Sequence, residues 1–163
     1  MNGNQQKAFS LVELLTAITL VAILISLAIP AFARFQESKR QESSRDLLAR
    51  HIQQTRANAI TLGRPHQLCG SSDGENCDGG WGSYWLITTV GKEPKILRQQ
   101  AAPTKDLCWA GFGSNSIRFH SNGTSWVSNG TFSICNSNGP HWQLVLNRQG
   151  RLKLVTSGNS RCC

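Results

Sequence analysis

The sequence lacks every spacing that marks a common catalytic or cofactor site. It has no H-E-x-x-H or C-x-x-C pair, no glycine-rich phosphate loop, no G-x-S-x-G and no dinucleotide fingerprint. The four histidines, His51, His66, His120 and His141, are scattered, which argues against a metal site. A cysteine nucleophile needs a free thiol, and the even number of cysteines argues for pairing instead. No internal repeat or low-complexity linker divides the chain. These absences point away from an enzyme and from a bound cofactor or metal.

Acidic residues are also scarce. Nine Asp and Glu stand against 17 Lys and Arg, a net charge of +8 in 163 residues. A basic surface of this kind attracts polyanions such as nucleic acid or anionic headgroups. Cysteine is missing from the first 68 positions; all six lie beyond them, at Cys69, Cys77, Cys108, Cys135, Cys162 and Cys163. An even set confined to one side of an apolar segment points to disulfides in an oxidising compartment. Cys69 and Cys77 are close enough to close a short loop. Cys162 or Cys163 is expected to tie the tail to the body, with Cys135 as a candidate partner. Adjacent cysteines rarely bond each other.

Charge is absent from Leu14 to Ala33, a run of roughly 20 residues, which matches the span of a bilayer. The run is longer than a signal peptide's apolar region, and no clear small-residue cleavage site follows it. Glu13 stands at its start. A charged carboxylate deep in the apolar layer costs about 2.5–3.5 kcal/mol, so Glu13 is either wet near the headgroups or paired with a cation. Pro30 is expected to bend the helix. The flanking charges oppose an outward C-terminal domain: Lys7 stands alone before the span, whereas Arg34, Lys39, Arg40, Arg45 and Arg50 follow it. The cysteines, together with the motif at Ala8 to Leu15 described next, outweigh that count.

Ala8-Phe9-Ser10-Leu11-Val12-Glu13-Leu14-Leu15 resembles the prepilin cleavage motif of type IV pilins and type II secretion pseudopilins. Ala8 stands where that motif usually carries Gly. The resemblance implies a cut between Ala8 and Phe9 by a prepilin peptidase, methylation of the new N-terminus, and pairing of Glu13 with the Phe9 amine of an adjacent subunit. Pro30 matches a proline that many pilins carry in this helix.

Beyond the span, Leu48, Ile52, Thr55, Ala59 and Leu62 recur at spacings that make one helical stripe. Gly63 and Pro65 end the helix. The polar stretch Gln36 to Arg45 is expected to be exposed or to meet neighbouring subunits. After Pro65 come short strand patterns separated by Gly-containing turns. They cover His66 to Cys69, Tyr84 to Val90, Lys95 to Gln99, Ser116 to His120, Thr131 to Cys135, Trp142 to Asn147 and Arg151 to Thr156. The last pair, WQLVLN-RQG-RLKLVT, reads as a hairpin. The order of the N-terminal motif, SIRFHSNGT, TFSIC and LVLNRQGRLKL resembles the GspH/FimT family of minor pilins and pseudopilins across essentially the whole chain. That resemblance implies an α+β fold, with a long N-terminal helix packed on antiparallel β-sheets. The expected divisions are a leader at 1–8, a membrane and filament-core helix at 9–33, and a globular domain at 34–163, with a helix at 34–62 and a β-region at 66–163.

Two features suggest a ligand. The five tryptophans could stack unpaired bases, although a small aromatic core explains them more simply; Trp81 and Trp126 are the ones expected at the surface. Arg148, Arg151, Lys153 and Arg161 cluster near the C-terminus. In a strand, Arg151 and Lys153 share a face and Leu152 and Leu154 turn to the core. Paired cations can track phosphates; they can equally protect an edge strand from aggregation. Some family members that resemble DNA-uptake pilins contact DNA through Gly-Arg-x-Arg, and Gly150-Arg151-Leu152-Lys153 matches it with Lys for the second Arg. The implied role is a minor pilin of a type IV pilus. It would be held once through the inner membrane with its C-terminal domain in the periplasm, and would pass into the filament or its tip. Its implied partners are other major and minor pilins, the inner-membrane assembly machinery, and DNA during natural transformation. The alternative is a priming-complex pilin or type II secretion pseudopilin with no DNA binding.

Overall fold

The computed structural model describes residues 10–113, 115–125, 127–136 and 139–155. One helix and eight strands follow in order: α1 (Leu11–Thr61), β1 (His66–Ser71), β2 (Tyr84–Thr89), β3 (Ile96–Ala101), β4 (Leu107–Gly111), β5 (Ser116–Phe119), β6 (Gly130–Asn136), β7 (Gly139–Leu146) and β8 (Leu152–Val155). The chain divides into two compact units, the first ending at Lys39 and the second beginning at Arg40.

The first unit carries the apolar part of α1. It has the length and composition to cross a membrane. Three of its hydroxyls are satisfied within the helix. Thr16, Thr19 and Ser26 each donate to the carbonyl three residues back, at 2.9, 2.9 and 2.7 Å. This is the arrangement an apolar solvent demands of polar groups. Helix continues through Pro30, which has no N–H to return to the Ser26 carbonyl. Glu13 lies in the first turn.

In the second unit all strand pairs are antiparallel, and two four-stranded sheets form with orders β3-β2-β1-β5 and β4-β6-β7-β8. The stripe of α1 lies against both. Leu48, Ile52 and Ala59 share one core with Leu68, Trp85, Ile87, Ile117 and Phe119 of the first sheet and Phe132, Ile134, Trp142, Leu144 and Leu146 of the second. Each large side chain buried this way contributes about 1.5–3 kcal/mol over leaving it exposed. Gly63, at φ 61°, takes the left-handed conformation that closes the helix. Leu62, expected on the stripe, is exposed, because the helix has ended at Thr61.

Cover of the helix begins earlier than its polar sequence suggests. Gln41 and Ser44 are buried. The Trp142 indole donates to the Gln41 carbonyl at 3.1 Å, and the Arg40 guanidinium donates twice to the Pro103 carbonyl, at 2.9 and 2.6 Å. Trp81 is also buried, at 4% exposure, against the expectation for a residue between glycines. Its ring lies edge-on to Phe132, 4.8 Å between centroids, over a bare Gly70. The outer face of the first sheet is covered too. Leu86 and Cys69 are buried there as a cross-strand pair, and Cys69 is bonded to Cys77 across the Ser71–Gly80 loop. Cys108 is disulfide-bonded as well. The side chain of Cys135, together with Cys162 and Cys163, lies outside the described residues.

Candidate nucleic-acid interface

The hairpin of β7 and β8 is closed by Arg148, Gln149 and Gly150. Gly150 has φ 74° and donates its N–H to the Asn147 carbonyl at 2.9 Å. The Asn147 side-chain oxygen accepts from the Arg151 N–H at 2.9 Å, and the Asn147 N–H donates to the Arg151 carbonyl at 3.1 Å. This is a three-residue hairpin loop that needs a left-handed third residue, which explains the glycine.

The turn is held from behind. Ser125 donates its N–H to the Arg148 carbonyl at 3.0 Å and its hydroxyl to the Asn147 carbonyl at 2.8 Å. Arg56, on α1, donates to the carbonyls of Gly123 at 2.8 Å and Gly150 at 3.4 Å. A Cβ on Gly150 would lie 2.8 Å from the Gly123 oxygen and 3.0 Å from the Phe119 ring. Gly150 is therefore buried and shapes the turn from inside it.

Arg148, Arg151 and Lys153 are exposed. The Arg148 Nε donates to the Asn129 side-chain oxygen at 3.4 Å. Lys153 pairs with Val145 and Val145 with Thr131, which puts Lys153 on the outer face of the second sheet. No carboxylate among the described residues pairs with any of the three cations. Arg161 lies outside the described residues. Leu152 packs against the core, but Leu154, expected there too, is 43% exposed: β8 is the terminal strand of its sheet, so one side of Leu154 has no neighbouring strand. Beside the turn, Asn129, Thr131, Val145, Asn147, Arg148 and Gln149 line a shallow cleft of about 470 Å³.

Arg56 and Ser125 are the positioning residues that sequence reasoning missed. Arg56 had a visible signal: it lies between Ile52 and Ala59, a cation on the edge of the apolar stripe. Asn122 and Asn129, each in a glycosylation-like triplet, serve local structure. The Asn122 side chain accepts from the Thr124 N–H at 3.0 Å and hydroxyl at 2.7 Å.

Elsewhere the titratable groups do structural work. His51 is buried, donates Nδ1–H to the Leu47 carbonyl at 2.9 Å and meets Trp85 edge-on. Burial holds its pKa below the ordinary histidine value. Asp73 accepts from the N–H groups of Asn76 and Glu75, the Asn76 amide and the Ser71 hydroxyl, and the Asn76 bonds foremost hold its carboxyl well below the usual range. Among the described residues no group of three His, Cys, Asp or Glu could hold a metal ion.

An N-terminal apolar helix leading into a helix packed on two antiparallel sheets defines a filament subunit of the type IV pilin kind. Residues 3–29 match the prokaryotic N-terminal methylation motif, and residues 45–150 match the family described as type II transport protein GspH. The chain belongs to the GspH family. Its fold is similar to that of the type IV minor pilin FimU of Pseudomonas aeruginosa, with 22% identity over 74% of this chain and 92% of that one and a TM-score of 0.60. It is similar also to E. coli GspH, with 17% identity, 76% and 93% coverage and a TM-score of 0.53. The minor pseudopilin EpsH of the Vibrio cholerae type 2 secretion system follows, with 14% identity, 71% and 95% coverage and a TM-score of 0.50. No curated protein matches the chain significantly. The family is one of structural subunits, and the apolar helix and methylation motif fit single-pass anchoring in the inner membrane with the C-terminal domain outside.

Proposed function

We propose that this chain is a minor pilin of a type IV pilus that acts in pilus assembly and binds DNA without regard to sequence during uptake for natural transformation. The prepilin peptidase cuts between Ala8 and Phe9, and the new amine is methylated. The subunit waits in the inner membrane with its domain in the periplasm, then passes with other pilins into the filament or its tip. There Glu13 pairs with the Phe9 amine of a neighbour, and Pro30 shapes the helix within the filament core.

The observation that carries the DNA reading is the display of Arg148, Arg151 and Lys153 on one hairpin with no carboxylate partner among the described residues. Arg161 adds a fourth cation nearby in sequence. Phosphate contacts of this kind release counterions, so binding falls with salt at a log–log slope of about −0.9 per phosphate neutralised on duplex DNA. The test is a gel-shift of the full-length chain in detergent over a salt series. Binding is expected to weaken steeply with salt, and Arg151→Ala with Lys153→Ala is expected to weaken it about tenfold or more. Salt-independent binding, or an unchanged double variant, overturns the electrostatic reading.

A second reading has its own support in the family description and in the likeness to EpsH. The chain would be a priming-complex pilin or a type II secretion pseudopilin whose basic strand meets acidic surfaces of partner subunits. Absence of DNA binding at low salt, with recovery of other minor pilins in a pull-down, favours this one.

A further inference from the structure

Stacking on tryptophan is ruled out for Trp81, Trp85 and Trp142, which the core consumes. Among the described residues an exposed aromatic ring near the cations is instead Phe112, just after β4, 64% exposed in a position where burial would have been favourable; Trp126 lies outside the described residues. Its N–H donates to the Asn129 carbonyl at 3.1 Å, and the Asn129 side chain accepts from Arg148. Phe112 follows Ala110 and Gly111 where β4 gives way to a bend. Ala110 pairs with Thr131, Thr131 with Val145 and Val145 with Lys153, so a single row crosses the outer face of the sheet. Three strand spacings separate the ends of that row, roughly 14 Å. Between them lies the cleft, with Val145 in its wall and the amides of Asn129, Asn147 and Gln149 around it. Val127, whose carbonyl accepts from the Asn129 N–H at 3.1 Å, is exposed as well.

Cations alone suit the phosphates of any nucleic acid. A bare aromatic ring, an apolar wall and a set of amide donors and acceptors suit the faces and edges of bases, which a duplex keeps stacked and paired. We propose that the outer face of the second sheet binds single-stranded nucleic acid, with phosphates on Arg148, Arg151 and Lys153, a base in the cleft, and a base stacked on Phe112. The inference rests on the DNA-binding reading and narrows it to unpaired strands. Base–aromatic stacking tolerates any sequence, because every base has a π-face.

The test is fluorescence anisotropy of the full-length chain in detergent, with a labelled oligothymidine of about 20 nucleotides and a mixed-sequence duplex of equal length. The single strand is expected to bind about tenfold more tightly than the duplex. Phe112→Ala is expected to lose about tenfold on the single strand. It should leave duplex binding and the salt slope unchanged, and Phe112→Trp should restore the strand preference. Equal effects of Phe112→Ala on both forms, or no effect on either, overturns the inference. No effect on DNA combined with lost co-purification of partner pilins makes Phe112 a subunit contact instead. Binding of both forms alike, still dependent on Arg151 and Lys153, defeats only the strand preference. Binding of neither form defeats the DNA reading with it.

Discussion

Arg56 reaches from the helix to the carbonyl of Gly123, 2.8 Å from its Nε, and so ties α1 to a turn 67 residues further along the chain. Its second arm meets Gly150, 94 residues away. One half-buried guanidinium thus braces the two glycine turns that support the basic hairpin. Arg56→Ala leaves both carbonyls without that donor, and a loss of about 1.5–3 kcal/mol is expected. Arg56→Lys should recover only part of it, since an ammonium cannot span both acceptors with a planar fork. Urea unfolding followed by the fluorescence of buried Trp85 and Trp142 measures both. Equal stability of Arg56→Ala and the parent would show that the brace contributes nothing.

Gly150→Ala separates geometry from charge. The substitution keeps every cation but forces a Cβ toward the Gly123 oxygen and into a left-handed conformation, at a cost of about 1–2 kcal/mol from the backbone alone. The turn must shift to admit it. DNA affinity is expected to fall several-fold although net charge is unaltered. If anisotropy titrations of Gly150→Ala and the parent overlay, the precise shape of the turn is irrelevant to binding.

The Cys69–Cys77 bond closes the loop that follows β1. Closing a loop with a sequence separation of 8 is worth about 2.5 kcal/mol on the chain-entropy scale. Cys69→Ser with Cys77→Ser is expected to lose about that much in urea unfolding. Mass spectrometry of the unreduced protein should find few or no free thiols. Six free thiols would contradict an oxidising compartment.

Much of this architecture was legible because local chemistry and tertiary fate agree. The stripe at Leu48, Ile52, Thr55 and Ala59 is the buried face of α1, and the strand runs set off by Gly-containing turns are strands. β4 escaped notice because Leu107–Gly111 shows no alternation and ends in Ala-Gly. Its place is chosen by contact: Gly111 packs so closely on Gly130 that a Cβ would stand 2.7 Å from the Gly130 Cα. Gln41 and Ser44 are buried, and Gln41 meets Trp142 about a hundred residues distant, which no polar pattern announces. In the candidate interface the cations were visible in sequence; of the brace, only the place of Arg56 on the edge of the apolar stripe was, and not the carbonyls it meets. Ser125 and Arg56 act on carbonyls that only the fold brings to them.

His51 should make stability sensitive to mild acid. Burial, at 2% exposure, favours the neutral ring and lowers its folded pKa, with Arg98 adding to the effect, while the unfolded chain titrates near 6.5. The unfolded state therefore binds the proton first as pH falls. The contribution of neutral His51 is complete above about pH 6.5 and is lost progressively below it, toward the lower folded pKa. Arg98 and the Leu47 carbonyl are the groups bearing on the ring. Unfolding free energy measured from pH 7.5 down to 5 is expected to decline, and His51→Gln should flatten that decline. An identical slope in the variant would place the acid sensitivity elsewhere.

Glu13 carries the last prediction. It sits in the first turn of α1, at the edge of the run from Leu14 to Ala33 where the apolar layer begins, and its helix has no cation within that run. Alone in that layer a carboxylate is costly; beside the amine of a neighbouring Phe9 it is half of an ion pair. Removal of the charge should then leave membrane insertion intact, since Ala is easier to insert than Glu. Cleavage after Ala8 should also persist, because the residues at the cut are unchanged. Assembly should suffer, because the Phe9 amine of the adjoining subunit loses its counter-charge. In cells expressing Glu13→Ala, immunoblots are expected to show processed subunit in the membrane fraction and a marked deficit in sheared filaments. Parental incorporation of the variant would remove the pairing with Phe9, and Glu13 would then be a headgroup-level carboxylate in contact with water.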